Sequence, residues 1–133
     1  LVPPERYVDE VVQLLARLDT DYTRNSDPKQ QLISELEPFQ APAILPAVTR
    51  FLEDASDDVR FAAVATIFAQ QDAASVEALV KSLIAEESMR VKSRIADGLV
   101  ARGFVVPEAL RADTKRSLPP SFTIDGAGKI KRY

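Results

Sequence analysis

The sequence predicts an all-α fold of about three helical hairpins, closed at the C-terminal end by a short β-hairpin. Apolar residues recur at the i, i+3, i+4, i+7 spacing of amphipathic helices through most of residues 4–102. The chain also matches itself at a shift of 32 residues, a length typical of two-helix repeats. After Pro119 and Pro120 the pattern changes to alternation across a turn with glycines, as expected for two short strands.

Six helices are expected, and signals at their ends support them. They cover residues 4–18, 28–37, 43–54, 57–70, 73–86 and 88–102. Asp27 and Pro28 offer an N-cap and a proline at the first helical position. Ser56 or Asp57 can cap the fourth helix and Ser88 the sixth, and Gly103 follows the sixth helix as a C-terminal glycine should.

Two of these helices have unusual compositions. Pro46 has no amide hydrogen, so the third helix should start late or kink. The helix over 57–70 is apolar on nearly every side, with Arg60, Thr66 and Gln70 as its main polar residues. It is too short and too interrupted to cross a bilayer. We therefore expect it to be central, with neighbours on both flanks.

The internal repeat resembles a known family. It is clear over 43–70 and 73–102 and degenerate over 4–37. Within it, Asp54–Ala63 reads D-A-S-D-D-V-R-F-A-A, which resembles the start of the second helix in a HEAT repeat. The 32-residue length resembles the shorter bacterial HEAT-like class, which includes the phycobilin lyase subunits. The second repeat departs from the family pattern: it has Met89-Arg90-Val91-Lys92 where the family prefers an acidic residue before Val-Arg, and Ile95 replaces the small alanine.

The resemblance implies a right-handed α-α superhelix of the HEAT/armadillo type and a binding or scaffolding role, without any activity. The expected domains are helical repeats over 1–103 and a tail over 104–133. The tail should hold a short helix over 107–118 and a hairpin with strands near Phe122 and Ile130. A lone hairpin is barely stable in water, so it should lean on the exposed end of the last repeat. A partly disordered tail is the alternative.

Composition excludes several kinds of chemistry. The 133 residues include no histidine and no cysteine. Disulfides, thiolate nucleophiles, thiolate zinc sites and serine–histidine catalysis therefore cannot form within this chain. We expect a protein that is not an enzyme and has no catalytic residues, metal or cofactor.

Location is expected to be cytoplasmic. The longest apolar run, Phe61–Ala65, is far shorter than the roughly 20 residues of a membrane span. No charged-then-apolar secretion signal leads the sequence. Absent cysteine fits a reducing compartment.

Charge is distributed unevenly along the chain. Residues 1–89 hold 7 basic and 16 acidic side chains, whereas residues 90–133 hold 10 basic and 4 acidic ones. We expect another protein, an acidic one by this charge, to contact the second helices of the repeats and the basic end. The predicted contact residues are Arg60, Arg90, Lys92, Arg94, Arg102, Lys129, Lys131 and Arg132.

Two other functions stay open as alternatives. The first is an accessory or lyase-type subunit acting on a modified protein, which rests on the family resemblance alone. The second is nucleic-acid binding through the basic C-terminal face. The pI near 5.0 disfavours nucleic acid, because nucleic-acid-binding domains often exceed about 9. The oligomeric state is left open.

Acidic clusters have a structural interpretation. They comprise Asp19, Asp21 and Asp27 in the first loop, and Glu53, Asp54, Asp57 and Asp58 at a later turn. Helix capping or solvation explains them better than a metal or catalytic site. In HEAT repeats the arginine that matches Arg60 pairs with acidic residues of neighbouring turns, so the resemblance implies Asp54, Asp57 or Asp27 as its partner.

Overall fold

The structure, a computed structural model, describes residues 3–133. Its described part contains seven α-helices and a two-stranded antiparallel hairpin, so the mostly helical fold with a small hairpin is confirmed. The chain forms two compact units, Leu1–Gln71 and Asp72–Tyr133. Leu1 and Val2, which the predicted repeat domain includes, lie outside the described residues. The predicted domain boundary near residue 103 stays a prediction.

The first unit contains four helices, close to the predicted ones. They are α1 (Pro4–Ala16), α2 (Asp27–Glu35), α3 (Ile44–Thr49), which continues as a 3₁₀ turn over Arg50–Glu53, and α4 (Asp57–Ala69). Pro46 is the third residue of α3. Its missing amide hydrogen costs no intrahelical bond, because the first four amides of a helix have no partner within it. Helix α3 begins at Ile44, one residue after the predicted start at residue 43, so Pro46 lies in its first turn.

Helix α4 carries much of the core of the first unit. It packs against both α2 and α3, and no side chain from Val59 to Gln70 is exposed. Its polar residues find backbone partners: the hydroxyl of Thr66 donates to the carbonyl of Ile33 at 3.0 Å, and Gln70 Nε2 donates to that of Phe39 at 2.8 Å. The expected central position is confirmed within this unit.

Helix ends follow the sequence signals with one correction. Ser56 and Ser88 accept hydrogen bonds from the amides three residues later, at 3.4 Å each, and Gly103 has the left-handed φ of 63°. The N-cap of α2, however, is Ser26 and not Asp27, and no side chain caps it. Asp27 lies one position inside the helix, where its charge still favours the helix N-terminus.

The second unit contains the remaining elements. They are a 3₁₀ turn over Ala73–Ser75, α5 (Val76–Ala85), α6 (Met89–Arg102), a 3₁₀ turn over Glu108–Leu110, α7 (Arg111–Ser117), β1 (Phe122–Ile124) and β2 (Ile130–Arg132). The single helix predicted over 107–118 is thus divided between a 3₁₀ turn and α7.

The hairpin packs on helices of its own unit. β1 and β2 pair antiparallel with Ile124 opposite Ile130, β2 lies against α6, and β1 lies against α7. Phe122 and Ile130 are buried at 6% and 5% exposure. The hairpin therefore leans on α6, the helix predicted over 88–102, and on α7.

The turn of the hairpin is built around Asp125. Its Oδ1 accepts hydrogen bonds from the amides of Ala127 and Lys129, both at 2.9 Å. Arg111 ties the turn to α7, because its Nε donates to Val106 O at 3.0 Å and its NH1 donates to the carbonyl of Gly126 at 3.3 Å. Arg111 belongs to the basic C-terminal segment of the sequence, but it serves here as an internal brace.

Candidate binding face

A polar arrangement recurs in the two clear repeats. Asp54 Oδ1 accepts from the amide of Ser56 at 2.9 Å, and Glu86 Oε1 accepts from the amide of Ser88 at 3.0 Å. Both carboxyl residues are buried, at 3% and 7% exposure, and each serine then caps the following helix. The two sets lie 32 residues apart. Each capping serine is thus preceded, two positions earlier, by a buried acidic residue. The pattern of apolar residues, on which the repeat was predicted, does not show this feature.

One of these carboxylates belongs to a buried ion pair. Lys29 Nζ lies 2.8 Å from Asp54 Oδ2, with the two side chains only 5% and 1% exposed. The same ammonium donates to the carbonyl of Asp21 at 3.0 Å, and Asp19 Oδ1 lies at 4.0 Å. The predicted role of Asp54, capping or solvation, is therefore incomplete, because its side chain also forms an ion pair with the buried Lys29. Lys29 itself was not among the predicted site residues.

Arg60 lies at the start of α4 and is half-buried. Its NH1 donates to the backbone carbonyl of Asp54 at 2.9 Å, while the carboxylate of that residue is bound to Lys29. Asp57 and Asp58 are exposed in the first turn of α4, where negative charge favours the helix dipole.

The other seven predicted contact residues all lie on α6 or beside and within β2, two elements of the second unit that pack together. They are Arg90, Lys92, Arg94, Arg102, Lys129, Lys131 and Arg132, and we call them the basic face. Lys92 is half-buried and the other six are exposed. The basic face is defined within the second unit, and Arg60 belongs to the first unit.

Arg132 and Lys131 of the basic face lie beside acidic groups of the same unit. Arg132 is paired with Asp97 of α6, and its guanidinium lies 5.1 Å from the centre of the Phe122 ring. Lys131 Nζ lies 3.3 Å from Asp125 Oδ2. Both ion pairs are largely exposed, so each contributes little to stability. They hold the ends of two long side chains near the surface of the hairpin.

Burial and a neighbouring positive charge both act on one cation of α6. Partial burial lowers the pKa of Arg102, and the positive charge of Arg94 lowers it further. Repulsion between two guanidinium groups is relieved when an anionic group binds near them, because opposite charges favour the ionised forms. The chemistry available to the basic face is therefore electrostatic attraction of carboxylates or phosphates.

The described part of the chain holds neither a metal-binding cluster nor a membrane-spanning helix. Across residues 3–133, no group of three or more acidic, histidine or cysteine side chains is placed to hold a metal ion. No helix in that range has the length and apolar character needed to cross a membrane. Comparison with protein-family models, with curated proteins and with solved structures finds no match to this chain.

Proposed function

We propose that this chain is a non-enzymatic HEAT-like α-solenoid module that binds an acidic protein through the basic face. The observation that carries the binding role is the placement of seven predicted cations on α6 and beside or within the neighbouring β2. A surface of this charge steers and orients an acidic partner. The proposed partner is a protein because the whole chain has a pI near 5.0, which disfavours nucleic acid.

The superhelix is part of the same proposal. It is supported by the recurrence of one capping arrangement, carboxylate to serine amide and serine to helix, at positions 32 residues apart. Repeats that reuse one local arrangement are typical of solenoids. A crystal structure tests this part directly: a right-handed rotation relating the hairpins 43–70 and 73–102 supports it, and any other relation refutes it.

A charge-reversal pair tests the binding role. Lys92→Glu combined with Lys129→Glu reverses two cations of the basic face, and Lys115→Glu is the control because it makes the same kind of change on exposed α7. Wild type and variants are used to capture partners from nuclease-treated extract of the source organism. A partner identified by mass spectrometry is then purified and titrated by calorimetry.

We expect the paired variant to bind the purified partner at least about tenfold more weakly, and the Lys115 variant to bind like wild type. Equal affinity of all three proteins refutes the role of the basic face. Binding of a duplex DNA that falls steeply with salt would instead favour the nucleic-acid alternative. Transfer of a bilin to an acceptor protein in a reconstituted mixture would favour the lyase-type alternative.

A further inference from the structure

An open groove runs between α1 and α3 in the first unit. Its volume is about 410 Å³, within the range of roughly 300–1,000 Å³ of ligand pockets. The groove is lined by Val12 and Ala16 of α1, Ala43, Pro46 and Ala47 at α3, and Arg50. Five of these six residues are apolar and three are alanines, so the groove has room for an inserted side chain.

Arg50 is the one charged residue that lines this groove, and it is half-buried. One of its five N–H donors bonds to the carbonyl of Leu15 in the last turn of α1, and its guanidinium lies 4.3 Å from the centre of the Phe51 ring. Within residues 3–133 Arg50 forms no ion pair, whereas the buried Lys29 is matched by Asp54.

Arg50 and the apolar lining of the groove together indicate which chemical groups a ligand would carry. A partly desolvated guanidinium with remaining donors is best satisfied by a carboxylate, with which it forms short charge-assisted hydrogen bonds. The small apolar side chains around it favour an aliphatic group. A ligand that fits both carries an apolar side chain and a carboxylate a few ångströms apart.

We propose that a partner protein inserts an apolar side chain into this groove and places a carboxylate of the same segment against Arg50. The proposal rests on the proposed protein-binding function and adds a second contact region to it. A protein segment is favoured over a lipid because the groove is open and short, and alanines leave space for one side chain at a time. Acidic character of the partner is also what the basic face selects.

A designed peptide tests the groove in the full chain. The probe is acetyl-Ala-Leu-Ala-Ala-Glu-Ala-amide, in which leucine and glutamate can share one helical face. Titration into ¹⁵N-labelled protein should shift the amide signals of Val12, Ala16, Ala43 and Ala47. A single anchoring side chain predicts a Kd on the order of 1 mM. The same peptide with glutamine in place of glutamate should bind about tenfold more weakly.

Substitutions test whether the peptide binds in the groove or elsewhere on the surface. Ala43→Phe fills the groove from an exposed position and should abolish the shifts, whereas Ala101→Phe, an equal change at an exposed position of α6, should leave them intact. Arg50→Gln should lower affinity for the glutamate peptide to that for the glutamine peptide. The Ala43 variant keeps the test valid if loss of the Leu15 contact unfolds the Arg50 variant.

Several outcomes overturn the proposal. They are absence of groove shifts at about 10 mM peptide, equal binding of the two peptides, shifts that persist in the Ala43 variant, and saturable binding of decanoate without binding of the peptide. The last outcome would assign the groove to a lipid carboxylate. If the captured partner binds the Ala43 variant normally but loses affinity when the basic face is reversed, the groove assignment fails while the proposed function stands.

Discussion

Replacing Lys29 with methionine should destabilise the protein by about 3–5 kcal/mol. The lysine ammonium lies 2.8 Å from Asp54 Oδ2 with almost no solvent on either side chain. Methionine keeps the aliphatic volume but leaves the buried carboxylate without its cation and the carbonyl of Asp21 without its donor. The cost arises mainly from an uncompensated buried charge, because water cannot reach it.

A matched exposed pair provides the control. Lys81 and Glu77 also lie 2.8 Å apart, but their side chains are 62% and 65% exposed. Lys81→Met should therefore cost less than about 1 kcal/mol. Urea unfolding followed by circular dichroism measures both free energies of unfolding under the same conditions. Since the N–O distances are equal, the difference between the variants reports the effect of burial.

A double variant tests the physical reason. Asp54→Asn removes the charge and keeps an oxygen to accept the amide of Ser56. Combined with Lys29→Met, it should recover at least about 1 kcal/mol of the stability lost in the lysine variant. Two results would contradict a role for burial: a cost of Lys29→Met no larger than that of Lys81→Met, or a double variant with the summed losses of the two single variants.

Three further changes have expected outcomes. Hydrogen bonds, the largest effect being that of the Lys129 backbone amide, lower the pKa of Asp125 below its ordinary value of 3.8. The charged Asp125 therefore stabilises the fold above pH 3.8, and this stabilisation is lost as the pH falls through the pKa of the folded state. Asp125→Asn should flatten the acid dependence of thermal unfolding, and an unchanged profile contradicts this. Gln71 has a left-handed φ of 54°, which glycine adopts without strain, so Gln71→Gly should raise the free energy of unfolding by about 1 kcal/mol. A lower urea midpoint for this variant than for wild type would contradict the prediction. Gly128 has a φ of 87°, and a Cβ there would lie 2.5 Å from a guanidinium nitrogen, so Gly128→Ala should cost about 2 kcal/mol. Gly126→Ala meets nothing within 4 Å and should stay within about 0.5 kcal/mol, so equal thermal midpoints for the two glycine variants would refute the steric argument.

Local signals in the sequence predicted the helices well. The apolar stripe of each helix and the caps at Ser56, Ser88 and Gly103 are correct, because they depend on residues within four positions of one another. Boundaries were less accurate where two residues compete for one role. Ser26 takes the N-cap position that Asp27 was expected to hold, and both are residue types that cap helices well.

The arrangement of the candidate binding residues could be predicted only in part. Residues 90–133 hold ten basic side chains, and packing of β2 against α6 brings the seven of the basic face onto neighbouring elements. The internal partner of Arg132 was not predictable, since Asp97 is 35 residues away in the chain. The α1–α3 groove was also missed, because the sequence pattern does not show how closely two helices approach.

The positions of the helices and the apolar stripe of each could be read from the amino-acid sequence, because these properties depend on neighbouring residues. The burial of particular polar groups could not, because it depends on how distant parts of the chain pack together. Lys29 meets Asp54 across 25 positions, and Thr66 meets the carbonyl of Ile33 across 33. The reason is physical: a buried polar group needs a partner, and chain folding, not local pattern, determines which partner is within hydrogen-bond distance.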